Sequence, residues 1–412
     1  MRNVWLSLGL LALAPAIASA RCPTEQTDPL PVASATLADG VELTQDKRVF
    51  SQGPQDVFTL KVDLRKADLN EIDAGAIAAG DAVSGMVHRA GALAGVNADF
   101  FDINYSNAPL GPIVVGGELR KSPDQGRTLV AGVGRDGTAR IGQVTLDGTV
   151  ELPGRDVPLL AWNATRTAKD GISGYDQHWG SYARTDAVEG DSSAMRALVR
   201  DGTVTQVVAG PGSGRIPFGE VELVGRGSGA ARIAALQPGD DVEVHVRQAG
   251  DARDAYRWAV GGKPVLLRDG QRLVPETEPP ISPDTITTNV IAPRTAVGFS
   301  ADGRTAWLVA NDGRQPQSLG LSFGQLACIL DEDGADDALN LDGGGSTTMV
   351  GWLPGYTGPG VLNRPSDEPP AERHDPIGIG VFADPAAPGS LPPAPAPRPT
   401  PILPVNPFAA LG

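Results

Sequence analysis

Cysteine and histidine are scarce in this sequence, and aromatic residues are few. Of 412 residues, two are cysteine, four are histidine and 5% are aromatic. Two cysteines cannot build a disulfide scaffold or a thiolate metal cluster. The four histidines show no metal-ligand spacing such as a paired helical motif. The composition therefore predicts no resident cofactor or metal centre built from these side chains.

Positive charge is also in short supply. Lysine and arginine number 34 against 49 aspartate and glutamate residues, which gives a formal net charge of −15. Because phosphate backbones are bound by an excess of cationic side chains, we expect no nucleic-acid partner. The hydrophobic fraction of 41% is ordinary for a globular protein, and the chain is long enough to bury a substantial core.

The N-terminal apolar run is too short to span a bilayer. It begins after Arg2, extends from Val4 to Ile17 and ends in the small residues Ala18-Ser19-Ala20. A membrane anchor needs roughly 20 apolar residues, whereas this shape is typical of a secretory signal, here residues 1–20. We expect a secreted or periplasmic protein with no transmembrane segment after cleavage.

Export would place Cys22 and Cys328 in an oxidising compartment, where a disulfide persists. Such a bond would fasten the mature N-terminus to the domain. Two unrelated thiols are the alternative, because the sequence does not define their geometry.

At the other end, residues 385–412 are rich in proline and alanine and lack the apolar content of a core. We expect an extended or disordered tail there. The segment 21–85 is predicted to supply N-terminal strands that lead into a domain over 86–384.

Turn signals dominate that domain. Asp-Gly pairs recur at 136–137, 147–148, 201–202, 269–270, 302–303 and 312–313, several between alternating apolar residues, and they predict hairpins. Two apolar stripes at helical spacing predict helices, one from Val83 to Ala90 and one from Phe323 to Leu330 behind a Ser322-x-x-Gln325 capping box. The expected fold class is α/β (α+β), a β-rich mixed sheet with a few helices.

The stretch "ALNLDGGGSTTMV" (338–350) gathers a carboxylate, three glycines and three hydroxyls after an apolar run. If the run is a buried strand, Asp342 lies at its carboxyl end and Gly343, Gly344 and Gly345 let the backbone approach a ligand. Their N–H groups are typical of an anion-binding nest. An ordinary tight turn is the alternative; a P-loop is disfavoured because its Gly-Lys-Ser/Thr ending is absent.

Several motifs in order resemble the phosphodiester glycosidase family. They are "GVNADFFD" (95–102), "LGPIVVGGELRKS" (110–122), "GGKPVLLRDG" (261–270), "RTAVG" (294–298), "NDGR" (311–314), "LSFGQLACIL" (321–330), "ALNLDGGGSTTMV" (338–350) and "NRPSD…ERHDPIGIGVF" (363–382). The resemblance implies a hydrolase that breaks the bond between a sugar C1 and a phosphodiester oxygen. A glycan or sugar phosphodiester would be its substrate, and bacterial relatives are linked to exopolysaccharide.

That reaction assigns roles to the acidic candidates. Glycosidases generally use two carboxylates around an oxocarbenium-like transition state. Asp342 is the first choice for nucleophile or base, and Asp312 and Asp99 compete for the second carboxylate. Asp312 would otherwise open a turn, and Asp99 with Asp102 would otherwise chelate a divalent cation.

Cations and hydrogen-bond donors would hold the phosphate as negative charge develops. Arg294, Arg373 and the glycine nest suit this role because guanidinium groups bind phosphate oxygens bidentately. The other candidate substrate contacts are Asn97, Arg314, Ser346 and Thr347. The two arginines would otherwise serve in structural ion pairs, and Asn97 would otherwise satisfy backbone groups. A polymer-binding module without turnover is a rival function; an esterase using Ser346 is disfavoured because no Gly-x-Ser-x-Gly elbow is present.

Overall fold

The computed structural model describes residues 22–250, 255–274, 290–353, 357–367 and 371–384. The predicted signal peptide and the predicted tail lie outside these ranges. Within them, the helices are all too short or too polar to cross a membrane.

Three α-helices occur among the described residues: α1 Val83–Ala90, α2 Ser228–Ala234 and α3 Phe323–Asp333. The two helices predicted from their apolar stripes are therefore confirmed. Helix α3 begins with the predicted capping box, in which Ser322 Oγ accepts from the Gln325 N–H and Gln325 Oε1 accepts from the Ser322 N–H. Both donors would otherwise lack partners at the start of the helix.

Apart from the 3-10 helices Asp186–Val188 and Gly344–Ser346, the remaining regular secondary structure of the described residues consists of strands. The first thirteen are β1 Leu30–Ala38, β2 Val41–Phe50, β3 Gly53–Asp63, β4 Asp68–Asp73, β5 Ala94–Asn97, β6 Ile113–Val115, β7 Glu118–Lys121, β8 Leu129–Gly134, β9 Ala139–Gln143, β10 Thr145–Leu152, β11 Arg155–Pro158, β12 Ala161–Trp162 and β13 Ile172–Tyr175. The remainder are β14 Met195–Arg200, β15 Thr203–Ala209, β16 Glu220–Gly225, β17 Glu243–Ala249, β18 Tyr256–Gly261, β19 Val265–Arg268, β20 Gln271–Arg272, β21 Arg294–Phe299, β22 Thr305–Asn311, β23 Asp337–Asn340, β24 Met349–Gly351, β25 Gly360–Val361 and β26 Ile377–Phe382.

These strands form five sheets. The largest has the order β1-β2-β3-β22-β21-β23-β19-β20, and a second has the order β25-β24-β5-β26-β4. The others are β7-β6-β18-β8-β9, β12-β13-β16-β14-β15 and β11-β10-β17. Strand β12 pairs parallel with β13, whereas the other pairings among the described strands are antiparallel. The β-rich fold class with a mixed sheet and a few helices is confirmed.

Four of the predicted Asp-Gly hairpins are confirmed, at 136–137, 201–202, 269–270 and 302–303, each lying between two paired strands. At 201–202 and 269–270 both residues have positive φ, as a type I′ turn requires. The hairpin predicted at Asp147-Gly148 is wrong, because both residues lie inside β10 and pair with β17. Gly148 is needed there for another reason, since a Cβ would come within 2.8 Å of the Leu159 carbonyl oxygen.

A disulfide joins Cys22 to Cys328, with the two Cα atoms 5.6 Å apart, so this pairing is confirmed. Both residues are buried, and Cys328 lies on α3. The Cys22 N–H donates to Glu332 Oε1 at 2.9 Å, and Arg48 forms an ion pair with the same glutamate. The start of the described chain is thereby held against α3.

Replacing Cys22 and Cys328 together with alanine should lower the free energy of unfolding by about 2–4 kcal/mol, because the bond closes a long loop and restricts the unfolded chain. Urea denaturation of the wild type and the double variant measures this difference. If the wild type, with its disulfide formed, and the double variant unfolded at the same urea concentration, the disulfide would add no stability.

Candidate active site

The site lies where two sheets present neighbouring strand ends. In the eight-stranded sheet, β23 ends beside the start of β21, with Asn340 opposite Ala296. In the second sheet, β5 ends beside the start of β26, with Asn97 opposite Gly378. In an antiparallel pair, the end of one strand lies beside the start of the other. The residues that follow β23 therefore lie next to those that precede β21, and the residues that follow β5 lie next to those that precede β26.

Ala98 joins the two edges. Its carbonyl oxygen accepts from the Asp342 N–H at 2.6 Å, and its own N–H donates to the Ile377 carbonyl at 3.0 Å. Asp99 follows Ala98 and Asp375 precedes Ile377 by two residues. Asp99, Asp342 and Asp375 are distant in sequence, and the backbone hydrogen bonds of Ala98 bring the segments that contain them together.

Asp342 accepts hydrogen bonds on both carboxylate oxygens. Oδ1 accepts from the Gly343 N–H at 3.0 Å, and Oδ2 accepts from Ser346 Oγ at 2.7 Å. The residue keeps partial exposure to solvent. Burial raises the pKa of Asp342 to about 6, against the opposing effects of the Ser346 hydrogen bond and the Arg373 charge. At neutral pH the carboxylate is therefore mostly ionised and reachable, as a nucleophile or base requires.

Asp375 is the second carboxylate of this group, and the sequence reasoning missed it. It is 2% exposed, and among the described residues neither of its carboxylate oxygens has a hydrogen-bond partner. Burial raises its pKa well above the usual range, and the charge of Asp342 raises it further. Its position could have indicated a site residue, because Asp375 lies in the motif "ERHDPIGIGVF" shortly before an apolar strand.

Asp99 is 3% exposed and lies against two glycines. Its Oδ2 accepts from the Gly111 N–H, and a Cβ at Gly111 or Gly261 would lie 2.7 or 2.5 Å from that oxygen. Burial raises the pKa of Asp99 to about 6, while the Gly111 hydrogen bond and the Lys121 charge lower it. The two glycines thus leave room for a buried acid beside Asp342.

Asp312 has a structural environment. It is buried, and its Oδ1 accepts from Asn363 Nδ2 at 3.0 Å and from the Arg364 N–H at 2.8 Å. Asn363 Nδ2 also donates to the Thr347 carbonyl at 3.0 Å. Asp312 therefore secures the segment that supports the glycine corner, and its assignment as the second carboxylate stays a prediction.

Arg294 is turned into the protein rather than toward a ligand. Its Nε donates to the Leu321 carbonyl at 3.0 Å, Nη2 donates to the Val290 carbonyl, and the guanidinium lies 3.9 Å above the Phe323 ring. Burial lowers its pKa to about 10. Two of its donor groups thus serve backbone carbonyls, while the charges of Arg314 and Asp342 also act on its pKa, so its predicted role at the phosphate stays a prediction.

Arg373 and Arg314 both lie near Asp367. Arg373 donates from two nitrogens to Asp367 Oδ2, and its Nη1 also donates to Ser346 Oγ at 3.1 Å. Arg314 Nη1 lies 3.7 Å from Asp367 Oδ1. The ion-pair alternative therefore describes Arg373, which still acts on the site through Ser346.

The glycine corner departs from the predicted anion nest. The Gly343 N–H donates to Asp342 and the Gly344 N–H donates to the Pro293 carbonyl at 2.9 Å, so neither points to a ligand. The glycines are required for space, since a Cβ on Gly345 would lie 2.0 Å from the Asp367 carboxylate. Thr347 Oγ1 is buried without a hydrogen-bond partner among the described residues.

Asn97 holds the start of the glycine corner. Its Nδ2 donates to the Asp342 carbonyl at 2.8 Å, while its Oδ1 accepts from Thr295 Oγ1 and the Thr348 N–H. The Asn97 side chain therefore forms hydrogen bonds to groups of the protein itself. This agrees with the alternative in which Asn97 satisfies backbone groups.

Arg127 also lies at this site and Lys263 lies near Arg127, although neither residue stands out in the sequence as a candidate. The Arg127 charge lowers the pKa of both Asp99 and Asp342, so all three belong to one electrostatic environment.

Groups of three close metal-ligand candidates occur elsewhere in the described chain. Apart from the disulfide region, they are Glu151, Glu243 and His245, and Asp269, Asp336 and Asp337. Asp102 Oδ2 instead accepts from Ser106 Oγ at 2.8 Å. The alternative of a chelate at Asp99 and Asp102 therefore gains no third ligand of these types from the described residues.

Paired carboxylates surrounded by cations are the groups that glycoside-cleaving hydrolases use on anionic substrates. Residues 193–382 match the family described as phosphodiester glycosidase, which confirms the resemblance over that segment. The matched range contains Asp342, Ser346, Arg373 and Asp375. No curated protein matches the chain in sequence.

Solved structures share the fold. A hypothetical protein from Synechocystis is 25% identical with a TM-score of 0.68, over 84% of this chain and 62% of its own. This chain therefore spans less than two thirds of that protein. A Burkholderia pseudomallei protein proposed to be exported is 26% identical with a TM-score of 0.65, over 80% of this chain and 74% of its own. The zebrafish N-acetylglucosamine-1-phosphodiester alpha-N-acetylglucosaminidase catalytic domain is 16% identical with a TM-score of 0.43, over 86% and 89%, a likeness too low to carry an argument.

Proposed function

We propose that this protein is an exported hydrolase that cleaves the sugar C1–O–phosphate bond of a glycosyl phosphodiester and releases free sugar. Exopolysaccharide and cell-envelope glycans are the first substrates to test. The observation that carries the proposal is the pair of carboxylates, Asp342 and Asp375, set beside Ser346 and Arg373. The match of residues 193–382 to phosphodiester glycosidases supports the same reaction.

The two carboxylates have environments that separate their pKa values. Asp342 has a pKa of about 6, and Asp375 has a pKa raised well above the usual range, with the Asp342 charge as one cause. The environment of Asp375 favours its protonated form more strongly than that of Asp342 does, which suits Asp375 to the acid role and Asp342 to the base or nucleophile role. Asp342 acts at the anomeric carbon as nucleophile or as the base that activates water, and Asp375 gives a proton to the departing phosphate oxygen.

Ser346 connects this pair to the cation. Its hydroxyl donates to Asp342 and accepts from Arg373. Because Asp367 fixes Arg373, the positive charge is held at a defined place beside the carboxylate. This arrangement favours the ionised form of Asp342 despite its burial.

Export agrees with three independent features. Residues 1–20 have the composition of a secretory signal, Cys22 and Cys328 form a disulfide, and a relative is proposed to be exported.

Incubation with a panel of sugar 1-phosphodiesters, with detection of reducing sugar, tests the proposal. We expect release of free sugar together with a phosphate monoester. Binding of the polymer without release from any member of the panel would favour a polymer-binding module instead.

A further inference from the structure

Arg127 acts electrostatically on Asp99 and Asp342, and Lys263 lies close enough to Arg127 to feel its charge. Among the described residues neither Arg127 nor Lys263 forms a salt bridge, and Arg127 Nη1 is buried without a hydrogen-bond partner. The Arg127 guanidinium lies 5.4 Å from the centre of the Phe100 ring, which supports its position. A buried guanidinium nitrogen with no acceptor calls for an anion that the protein itself does not supply.

Strand pairing brings the two cations together at the site. Gly261 pairs with Val130, and the Gly262 N–H donates to the Leu129 carbonyl at 3.3 Å, so Lys263 lies alongside the residues that precede β8. The Lys263 carbonyl accepts from Asn340 Nδ2 at 2.8 Å. Lys263 is thereby fixed to the end of the strand that leads to Asp342.

Asp99 connects the same segment to the acidic group, because its carboxylate lies against Gly261. The electrostatics agree with this geometry. Burial lowers the pKa of Lys263, and the Arg127 charge lowers it further. Two cations close enough to repel one another, neither of which forms a salt bridge among the described residues, are most stable when an anion lies between them.

The two arginines that the sequence predicts to hold the phosphate both have partners within the protein. Arg294 serves the Leu321 and Val290 carbonyls, and Arg373 is bound to Asp367. We propose that Arg127 and Lys263 form the phosphate-binding subsite, in which they hold the two non-bridging oxygens of the phosphodiester beside Asp342. This inference rests on the proposed function for its substrate, but the anion site is testable without turnover.

A phosphoryl group suits this pair better than a carboxylate does. Arginine presents a planar array of donors to two oxygens, and lysine adds a compact point charge. After cleavage the product is a phosphate monoester with up to two negative charges, which matches two cations. The chain should therefore bind inorganic phosphate and methyl phosphate near neutral pH, and glucuronate much more weakly.

Calorimetric titration of the full chain with inorganic phosphate, methyl phosphate and glucuronate tests the subsite. Arg127→Gln and Lys263→Gln should each weaken binding of both phosphates about tenfold or more, because each loses charge-assisted hydrogen bonds. Arg155→Gln and Lys61→Gln remove the same charges from exposed positions and serve as matched controls with unchanged binding. Thermal unfolding of every variant verifies that it is folded.

The outcomes separate this inference from the proposed function. Unchanged phosphate binding in folded Arg127→Gln and Lys263→Gln overturns the subsite, whether or not the wild type releases sugar. Absence of phosphate binding by the wild type, or binding of glucuronate as tight as that of phosphate, overturns it as well. Loss of phosphate binding in both variants supports the subsite even if the wild type releases no sugar, in which case the hydrolase proposal alone fails.

Discussion

Replacing Asp342 with asparagine should lower kcat by a factor on the order of a thousand or more, as loss of a principal catalytic group does. Asparagine has nearly the same volume and keeps an oxygen for the Gly343 N–H, and its amide can donate to Ser346 Oγ in place of the bond that Ser346 donates to the carboxylate, so the corner should retain its shape. Steady-state release of reducing sugar measures the loss.

Stability provides the folding control for this variant. The folded pKa of Asp342, about 6, lies above the ordinary value of 3.8. The protonated carboxyl therefore stabilises the fold at low pH, and this contribution is lost as pH rises through 6. The neutral Asp342→Asn variant should consequently be at least as stable as the wild type at pH 8 by urea denaturation.

Asp333 supplies a matched control. Burial raises its pKa to about 6 as well, but it lies at the end of α3. Asp333→Asn should leave kcat unchanged. Near-normal sugar release by folded Asp342→Asn would show that this carboxylate is structural.

Replacing Asp375 with asparagine should lower kcat about a hundredfold or more, the usual contribution of a positioned general acid. The loss should be smaller than for Asp342→Asn because the departing phosphate is already a weak base. The wild-type profile should rise as pH passes through about 6, when Asp342 ionises, and fall at higher pH, when Asp375 loses its proton.

The shape of that profile distinguishes an acid from a structural residue. Because asparagine does not titrate, the alkaline limb should disappear from the kcat profile of Asp375→Asn while the acid limb remains. A variant that keeps both limbs with reduced kcat throughout would assign Asp375 a structural role.

Local features of the fold were predictable because local interactions determine them. The Ser322 capping box, the apolar stripe of α1 and four Asp-Gly hairpins each depend on residues a few positions apart. Sheet order was not predictable in this way. Strand β3 pairs with β22 and β4 pairs with β26, and alternation within a strand does not specify a partner more than 200 residues away.

The site was predictable only in part for the same reason. Asp342 was found because its strand, glycines and hydroxyls are contiguous. Asp375 was missed because its raised pKa depends first on its burial in the folded chain and then on the charge of Asp342, which is distant in sequence. Arg294 looked like a phosphate ligand by residue type, but it begins a central buried strand and turns to backbone carbonyls.

The central claim is that the bond broken joins the anomeric carbon to oxygen. The sugar-release reaction, run in water enriched in ¹⁸O and followed by mass spectrometry of both products, tests it most directly. Attack at carbon, whether by water or through a glycosyl–Asp342 intermediate, places the label in the free sugar at C1 and leaves the phosphate monoester unlabelled. Label in the phosphate would show cleavage of the phosphorus–oxygen bond and would contradict the glycosidase account.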